Sequence, residues 1–302
     1  MSGRAIIRVL VLACMFVLIG LVLLGFTGSL FAPGDAVAVI RPQAGVLLIP
    51  LAAILWSMKA RRAAIVSLTM AVLAIGSVGP SFLASGTDCP GECLKLYQKN
   101  LLSKAWPRYS LADDIIASDA EIVTLQEVSE HNREYMANLF AHYPFAVTCK
   151  FRTAQDVAVL TSLPAVDGSG FCLAGAGMAG LQVLAPNGQL IWLVSVHLEW
   201  PFPFDQFRQS QIIAKKIADL DGLVLIAGDF NMVPWGGSVH RIKQAAGNRY
   251  LGAFRNTYRL GNWLLPLPID TVLVPQGVTG TTELRPYMGS DHLGVLARIS
   301  LR

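Results

Sequence analysis

Two long apolar segments near the start of the chain constrain its fold most. Residues 6–26 contain one charged side chain, Arg8, and residues 63–83 contain none. Each segment has 21 residues, and an apolar helix of about 20 residues crosses a hydrocarbon core of about 30 Å. A third apolar segment, residues 44–58, is shorter. It spans a bilayer only if it tilts, if the bilayer thins, or if residues before it, past Arg41, extend it; a re-entrant or interfacial helix is the alternative. We predict three transmembrane helices, at about residues 6–26, 40–58 and 63–83.

Basic residues beside these segments predict the orientation. Arg4 and Arg8 lie at the start of the first segment, and a second cluster (Lys59, Arg61 and Arg62) separates the last two. Such clusters stay on the cytoplasmic side of a membrane. Three crossings then predict a multi-pass protein of the plasma (inner) membrane, with an anchor over residues 1–86 and a globular domain, residues 87–302, on the periplasmic or extracytoplasmic side. A cleaved signal peptide explains the first segment less well, because two further hydrophobic segments follow it.

The charges of the chain divide in the same way. Of its 24 basic and 20 acidic residues, six basic residues and one acid lie before residue 87, which leaves 18 basic and 19 acidic residues in the globular part. A strongly cationic surface is typical of proteins that bind nucleic acid through its phosphates. The near-neutral globular part has no such overall attraction. The high share of hydrophobic residues, 53%, is consistent with a membrane part joined to a globular part.

The cysteines of the globular part are compatible with an oxidising compartment. Cys89, Cys93, Cys149 and Cys172 form an even set, whereas Cys14 lies in the first apolar segment. Four cysteines allow three pairings. A disulfide-closed loop between Cys89 and Cys93 is one interpretation, and four free thiols are another. A metal site is less favoured because no second Cys/His pair has a suitable spacing.

Strand and helix patterns alternate from residue 93 to the end of the chain, as in an α/β or α+β domain. Apolar runs rich in β-branched residues predict strands at 93–102, 121–128, 145–151, 157–162, 223–228, 269–275 and 295–301. A hairpin over 181–198 turns at Asn187-Gly188, a dipeptide typical of two-residue turns. Amphipathic patterns predict helices at 110–120, 130–140 and 204–220. Residues 167–180 form a glycine-rich connector.

Most of the predicted strands end in a chemically capable side chain. Any one of these residues alone can be explained as a turn former. Strand ends, however, converge at one edge of a sheet, so groups distant in sequence can meet in one cleft. The set consists of acids, amides and imidazoles, with no serine or cysteine nucleophile beside a base: Asn100, Glu127, His197, Asp229 with Asn231, Asp270, and Asp291 with His292.

This set of side chains suits attack by water on phosphorus, assisted by a metal ion. A hard cation such as Mg²⁺ takes oxygen ligands from one or two carboxylates and keeps several waters. Glu127 can supply a carboxylate and Asn100 an amide oxygen. A second acid can orient or deprotonate the water, and an imidazole can stabilise the charged phosphoryl oxygens. Asp270 can hold His292 in one tautomer. Zinc is less suitable, because the histidines lie on separate strands and form no short ligand motif.

The motifs in this order resemble the endonuclease/exonuclease/phosphatase superfamily, which has the deoxyribonuclease I-like fold. They are "NLL", "LQEV", "SVHLE", "GDFN", "IDTVL" and "SDHLGV", and the resemblance covers the globular part from about residue 94. It implies an α/β fold, a four-layered sandwich with two central sheets, here preceded by the three transmembrane helices. It also implies Mg²⁺- or Mn²⁺-dependent cleavage of a phosphoester, and hence a metal-dependent hydrolase.

Carried over residue by residue, the resemblance implies two groups of site residues. Asn100, Glu127 and Asp291 would lie at the metal, with Glu127 as the principal carboxylate. The catalytic group would be His197, Asp229, Asn231, Asp270 and His292. In it, Asp229 and Asn231 position water and phosphate, the Asp270–His292 pair acts as base or phosphate stabiliser, and His197 contacts phosphate or serves as acid. Which of Asp229 and His292 takes the proton from water stays open.

The resemblance does not decide the substrate, because members of the superfamily cleave nucleic acids, sphingomyelin, inositol phosphates and other phosphoesters. The branch of abasic-site endonucleases is unlike this chain, since "NLL" lacks their aspartate and His197 stands where they have a tyrosine. Aromatic residues flank the site motifs: Trp200, Phe202, Phe204 and Trp235. Core or turn packing explains them, as does an apolar rim at a lipid headgroup region.

The arrangement of an anchor and an exported catalytic domain is similar to that of membrane-anchored bacterial proteins associated with teicoplanin resistance. For those proteins a lipid-linked pyrophosphate of the cell-wall carrier cycle is the implied substrate class. We therefore predict hydrolysis of a lipid phosphate, phosphodiester or pyrophosphate at the membrane. An exported, membrane-tethered endonuclease or exonuclease acting on nucleic acid is the second hypothesis, and a catalytically inert membrane module is the third.

Overall fold

The N-terminal part of the chain is a bundle of helices. The computed structural model describes residues 3–87, 89, 93–104, 109–260 and 265–301. The first helices are α1 (Gly3–Gly25), α2 (Ala32–Ala38), α3 (Arg41–Ser57), α4 (Arg61–Gly76) and α5 (Gly79–Leu83). Helix α3 packs between α1 and α4 around a small apolar core that includes Met15, Leu48, Leu55 and Ala71.

The prediction of three full-length transmembrane helices needs correction. Among the residues that the structure describes, α1 is long and apolar enough to cross a membrane, and the pair α2 and α3, bent by 60°, counts as a second span only if the two form one segment. The predicted segment 63–83 is divided into two helices: α4 ends at Gly76 after 16 residues, and α5 has five residues. Gly79 and Pro80 lie at the break, where a proline can begin a helix but cannot continue one.

The outer surface of this bundle is nonetheless apolar. Large hydrophobic side chains point outward from each of α1, α3 and α4, among them Leu10, Phe16, Val17, Leu47, Trp56, Ile65 and Val72. The buried guanidinium of Arg41 joins one end of the bundle: it donates to the carbonyl of Gly25 at 2.9 Å and to the hydroxyl of Ser77 at 3.3 Å. The end of α1, the start of α3 and the end of α4 therefore lie together.

Two six-stranded sheets form the centre of the globular domain. Sheet A has the order β13-β14-β1-β2-β4-β3 and sheet B the order β5-β6-β7-β8-β12-β9. The strands of sheet A are β1 (Leu94–Asn100), β2 (Ile122–Val128), β3 (Phe145–Cys149), β4 (Asp156–Thr161), β13 (Thr279–Arg285) and β14 (Gly294–Ser300). Those of sheet B are β5 (Phe171–Leu173), β6 (Met178–Leu184), β7 (Leu190–His197), β8 (Leu223–Asp229), β9 (Asn248–Tyr250) and β12 (Asp270–Pro275). A small pair, β10 (Tyr258–Leu260) and β11 (Leu265–Leu267), stands apart.

The two sheets face each other, and helices cover their outer faces. One apolar cluster takes side chains from both sheets, such as Leu96 and Ile122 from sheet A and Leu193 and Leu225 from sheet B. A second cluster lies between the outer face of sheet A and the helices α6 (Tyr109–Ala117), α7 (Glu130–Tyr135) and α8 (Ala137–His142). A third lies between sheet B and the helices α9 (Gln206–Ala218) and α10 (Gly237–Ala245). The order helix, sheet, sheet, helix is the predicted sandwich with two central sheets.

Several elements differ from the sequence prediction. The predicted helix over 130–140 is interrupted at Met136, which separates α7 from α8. The glycine-rich connector contains β5, and α10, β9, β10, β11 and β13 were not predicted. The hairpin is as expected, with Gly188 at a φ of 83° between β6 and β7. Disulfides join Cys89 to Cys93 and Cys149 to Cys172, and the second links the edge strands β3 and β5 of the two sheets.

Candidate active site

The predicted site residues come together because two parallel strand pairs end at the same edge. Strands β1 and β2 run parallel in sheet A, and β7 and β8 run parallel in sheet B. Parallel neighbours carry their final residues to one side of a sheet. Asn100 ends β1, and His197 and Asp229 are paired residues at the ends of β7 and β8.

Asp270 reaches the same edge by the opposite route. It was predicted at a strand end, but it begins β12, and β12 runs antiparallel to β8 with Asp270 opposite Asp229. Asp291 and His292 likewise precede β14 instead of ending a strand. The start of an antiparallel strand lies at the edge where its neighbour ends, so the predicted juxtaposition holds although the predicted direction was wrong.

Glu127 lies on a distorted part of β2. The pairing of β2 with β4 shifts register between Leu125 and Val128, and Glu127 has a φ of 55°, a conformation that residues other than glycine rarely adopt. Its carboxylate accepts from the backbone N–H of Ser103 at 2.9 Å and from Asn100 Nδ2 at 3.2 Å. Burial opposes ionisation, but the Ser103 hydrogen bond, the charge of His197 and the Asn100 amide together hold the pKa of Glu127 below its usual range.

Asp229 is completely buried at the centre of the site. Asn100 Nδ2 donates to its Oδ2 at 2.8 Å, and the backbone N–H of Asn231 donates to its Oδ1 at 2.8 Å. Burial raises the pKa of Asp229 to about 7, although the charge of His292 opposes that shift. A carboxylate with such a pKa can accept a proton near neutral pH and release it again.

His292 and Asp270 form a buried pair. His292 Nδ1 lies 2.8 Å from Asp270 Oδ2, while Gln98 Nε2 donates to Asp270 Oδ1 at 2.9 Å. Burial alone would lower the pKa of His292, but the carboxylates of Asp270 and Asp229 raise it to about 9. Its Nε2 lies 3.8 Å from Asp229 Oδ2, and the ring of Tyr258 packs on the imidazole at 4.7 Å. At neutral pH His292 is therefore a cation held in one orientation.

His197 is in the opposite protonation state. Burial lowers its pKa to about 4, so the ring is neutral at pH 7. Asn231 Nδ2 donates to the carbonyl of Leu198 at 2.8 Å and lies 3.3 Å from His197 Nε2. This geometry makes Nε2 an acceptor and places the ring proton on Nδ1, which is buried and has no hydrogen-bond partner among the described residues. The ring of Phe151 meets His197 edge-on at 5.4 Å.

The donor atoms of the site suit a hard divalent cation. One ligand atom from each of Asp229, Asp270 and His292 lies within 4.8 Å of the others. Asp270 already uses both oxygens, for Gln98 and His292, so it fits the imidazole pair better than a metal shell. The carboxylates of Glu127 and Asp229 share the donor Asn100 Nδ2, while Asn100 Oδ1 accepts from the backbone N–H of Leu102 at 2.9 Å. Carboxylate oxygens are the ligand type that Mg²⁺ and Mn²⁺ prefer, so Glu127 and Asp229 fit such an ion, and the amide of Asn100 positions them.

The site opens into a cavity of about 140 Å³. Its lining includes predicted residues, Glu127, His197, Asn231, Asp291 and His292, and others that the motifs did not indicate, namely Phe151, Gln155, Leu198, Glu199, Trp200 and Tyr258. Asp291 is an exposed member of this lining, and its Oδ1 lies 3.9 Å from His292 Nε2. The eight predicted residues thus surround one cleft at the edge of both sheets.

The aromatic residues near the motifs divide into three kinds. Trp200 lines the cavity and packs on Tyr258 with ring centroids 5.6 Å apart. Phe202 and Phe204 are exposed on the loop that follows. Trp235 lies away from the cavity and donates from Nε1 to the carbonyl of Ala38 in the helical bundle. Trp200 therefore belongs to the lining of the site. Phe202 and Phe204 follow it in the chain as exposed side chains, and Trp235 contacts the helical bundle.

No signal in the sequence singles out Tyr258 or Phe151. Phe151 is the last residue of the predicted strand 145–151, and Tyr258 lies on a segment without a strand or helix pattern. Phe151 contacts the imidazole of His197 and Tyr258 that of His292 only in the folded chain. Gln98 is a partial exception. It lies two residues before Asn100 on β1 and so shares its face, which indicates the same inter-sheet space.

The fold and the site together define a deoxyribonuclease I-like α/β sandwich with an acid, amide and imidazole cluster at one edge. The sequence pattern of the Endonuclease/Exonuclease/phosphatase family matches residues 100–292. The chain therefore belongs to this family, whose members are generally metal-dependent phosphodiesterases and nucleases. None of the curated proteins compared with the chain is similar to it in sequence.

Solved structures show the same fold at low sequence identity. TDP2 from D. rerio, complexed with a single-strand DNA product, has a TM-score of 0.57 and 17% identity, over 69% of this chain and 99% of that one. An endonuclease/exonuclease/phosphatase from Beutenbergia cavernae DSM 12333 has a TM-score of 0.55 and 17% identity, over 70% of this chain and 72% of that one. An endonuclease/exonuclease/phosphatase family protein from Leptotrichia buccalis C-1013-b has a TM-score of 0.54 and 14% identity, over 69% of this chain and 100% of that one.

Proposed function

We propose that this protein is a membrane-anchored, divalent-metal-dependent phosphoesterase that hydrolyses a phosphate ester or pyrophosphate of a lipid. The observation that carries the proposal is the pairing of opposite protonation states in one cleft. Asp229, with a pKa near 7, lies 3.8 Å from a cationic His292, with a pKa near 9. Two titratable groups whose environments drive their pKa values apart are typical of an acid–base site.

The roles of the residues follow from these protonation states. A divalent cation held by Glu127, with Asn100 and Asp291 beside it, supplies Lewis-acid chemistry when bound. Asp229 orients the attacking water and takes its proton, because it is the buried carboxylate that can be protonated near neutral pH. His292 is already protonated and cannot act as that base; it stabilises the negative charge that develops on the phosphoryl oxygens. Asp270 keeps it cationic.

Asn231 and His197 complete the proposed mechanism. The backbone N–H of Asn231 fixes Asp229, and its side-chain amide fixes the tautomer of His197. A neutral His197 with its proton on Nδ1 is a hydrogen-bond donor without charge, so it contributes less to phosphate binding than His292. We assign His197 to the support of Asn231 and to proton transfer only after an anionic substrate has raised its pKa.

The helical bundle supports membrane attachment. Large apolar side chains face outward from α1, α3 and α4, which is the arrangement for lipid contact and is unfavourable in water. Arg4 and Arg8 lie near the start of α1, and Arg61 and Arg62 begin α4, so both clusters are at the end remote from the globular domain. The tendency of such clusters to stay in the cytoplasm supports a multi-pass protein of the plasma (inner) membrane with the catalytic domain on the periplasmic or extracytoplasmic side.

Substrate class is the least constrained part of the proposal. A near-neutral domain held at a bilayer favours a phosphorylated lipid, because attachment raises the effective concentration of membrane substrates. The similarity to membrane-anchored proteins associated with teicoplanin resistance makes a lipid-linked pyrophosphate our first candidate. A nuclease is the second. A cavity of about 1040 Å³ next to the site is lined by Arg133, Lys150 and Arg152, which could contact a nucleic acid backbone.

A substrate panel tests the proposal on the full-length protein in liposomes. The panel contains a polyprenyl diphosphate, a phospholipid, single-stranded DNA and plasmid DNA, each with Mg²⁺ or Mn²⁺. We expect phosphate release from the polyprenyl diphosphate or cleavage of the phospholipid to a phosphomonoester and an alcohol, and loss of this activity in D229A and H292A. The exposed His131→Ala is the matched control and should retain full activity. Turnover of DNA without turnover of lipid would establish the nuclease alternative, and inactivity on every phosphoester would refute both.

A further inference from the structure

The turn that follows Asp229 and Asn231 is bound to the helical bundle. Asp35 in α2 is buried, and its carboxylate accepts from the backbone N–H groups of Gly237 and Ser238 at 2.6 and 2.9 Å and from the Ser238 hydroxyl at 2.5 Å. These donors belong to the first turn of α10. The bundle therefore fills a role that a capping side chain normally plays at the start of a helix.

The contact leaves no room for movement between the two parts. A Cβ on Gly237 would lie 2.3 Å from the carbonyl carbon and oxygen of Gly28, so the two backbones touch. Trp235 Nε1 donates to the carbonyl of Ala38 at 2.8 Å, and its ring packs on Phe82. Trp235 is four positions after the catalytic Asn231, and a chain of four residues spans at most about 14 Å. The catalytic edge is thus held close to the bundle.

One arginine extends this contact toward the mouth of the site. Arg241 in α10 donates to the carbonyl of Ser29, between α1 and α2, at 3.1 Å and to the hydroxyl of Ser210 in α9 at 2.6 Å. Its guanidinium also packs over the ring of Phe207 at 4.4 Å. The start of α9 and the connection between α1 and α2 therefore lie side by side.

Exposed aromatic and aliphatic side chains occur on both sides of the Arg241 contact, near the start of α9 and in the connection between α1 and α2. Phe202 and Phe204, on the loop before α9, are 53% and 56% exposed, and Leu30 and Phe31, before α2, are 76% and 41% exposed. The loop is attached to the catalytic strands, because Gln206 Nε2 donates to the carbonyls of Phe230 and Asn231 at 3.2 and 3.3 Å. An apolar patch that continues from lipid-facing helices is typical of an interfacial membrane contact.

We propose that Phe202, Phe204, Leu30 and Phe31 form a rim that inserts into the headgroup region of the bilayer that holds α1. The catalytic cavity, which Trp200 lines just before this rim, then takes its substrate from the same membrane and not from solution. This inference rests on the proposed membrane attachment, and it adds a second contact between the catalytic domain and the bilayer.

Site-specific quenching in lipid nanodiscs tests the rim on the full chain. An NBD fluorophore is attached to a single cysteine at position 202 or 204 in a Cys14→Ser background. Leu184 and Leu190, on the β6–β7 hairpin, give matched controls, since they are 43% and 48% exposed and β7 carries its start about 23 Å from His197. Doxyl-labelled lipids should quench the probes at 202 and 204 at least twofold more than the probes at 184 and 190.

The native Cys14, exposed on α1, separates the two ways in which the inference could fail. Strong quenching of an NBD probe on Cys14, together with equally weak quenching at 202, 204, 184 and 190, would overturn the rim and leave the membrane attachment intact. No quenching at Cys14 would overturn the attachment and the rim with it. Shielding at 202 and 204 that depends on protein concentration in detergent would show a contact between copies of the chain and also refute the rim.

Hydrolysis gives a second measurement. The ratio of turnover on a bilayer-embedded lipid phosphate to turnover on a water-soluble phosphate ester should fall at least fivefold in the F202D/F204D double variant. The L184D/L190D double variant adds the same two charges to an exposed surface away from the rim and should leave the ratio unchanged. An unaltered ratio in F202D/F204D would show that the rim takes no part in access to the substrate.

Discussion

The replacement Asp270→Asn is expected to move the alkaline limit of activity. Asp270 Oδ2 lies 2.8 Å from His292 Nδ1, and its charge is the main reason that the pKa of His292 rises to about 9 despite burial. Without that charge, the pKa should fall to about the ordinary value of 6.5, because burial then opposes the remaining charges of Asp229 and Asp291. At pH 7.5 the protonated fraction of His292 then falls from about 97% to about 9%.

Loss of the imidazolium should be visible in the pH profile of turnover. His292 with a raised pKa supports activity below about 9, so activity of the natural protein should be lost as the pH rises through that value. In D270N the same loss should occur near about pH 6.5, with turnover at pH 7.5 reduced about tenfold, in proportion to the protonated fraction of His292. The assay is metal-dependent hydrolysis by full-length protein in liposomes, from pH 5.5 to 10.

The asparagine keeps the shape of the side chain and the acceptor for Gln98 Nε2, so a folding defect is not expected. His131→Ala, on the surface, serves as the control and should retain the limit near pH 9. If D270N loses activity but its alkaline limit stays near 9, the charge of Asp270 does not control His292. The assignment of His292 as the cationic stabiliser would then be wrong.

Four further results should follow from the same geometry. In D229N, turnover should fall at least 1,000-fold while Mn²⁺ still binds, as measured by electron paramagnetic resonance, because the proton acceptor is lost and Glu127 remains. E127Q should instead weaken Mn²⁺ binding at least tenfold in the same measurement. The acid limit of activity should lie near pH 7, the pKa of Asp229, when divalent cation is scarce and should move to lower pH as it is added, because a nearby cation favours the carboxylate; an acid limit independent of the cation would contradict this. D35A should lower the free energy of unfolding in detergent by about 3 kcal/mol, since two backbone donors lose their acceptor, and D35N should have a smaller effect.

The sequence predicted which residues form the site better than it predicted how the strands bring them together. Alternation of strands and helices indicated an α/β or α+β domain, and the parallel strand pairs seen in the structure bring Asn100, His197 and Asp229 to one edge. Asp270 was assigned to the end of a strand and in fact begins one. Hydrophobic patterns do not reveal whether a strand runs up or down, because the period of two is the same in both directions.

Elements with little apolar periodicity escaped prediction. Helix α10 begins at a pair of glycines, Gly236 and Gly237, which local preference assigns to a turn; it forms because Asp35, about 200 positions earlier in the chain, accepts from its first donors. This contact leaves no local signal. The predicted segment 63–83 differs, because hydropathy shows it as one run and the structure divides it beside Gly79-Pro80, a local feature that hydropathy does not register.

The protonation states of the site residues could not be predicted from the sequence either. Motifs identify Asp229 and His292 as candidate bases without ranking them, because a pKa depends on burial and on charges brought from other strands. In the folded protein, burial raises the pKa of Asp229 to about 7, and the two carboxylates beside His292 raise the pKa of that imidazole to about 9. One group is thereby suited to accept a proton and the other to stay charged.

The stretch from Leu223 to Ser238 shows how one segment can serve two ends of the molecule. Its strand delivers Asp229 and Asn231 to the cleft, and its following turn places Trp235 and Gly237 against the helical bundle. The apolar-rim interpretation of Trp235 does not hold, because its indole donates to the carbonyl of Ala38 in the bundle. The turn is short and closely packed, so this segment couples the position of Asp229 and Asn231 to that of the bundle.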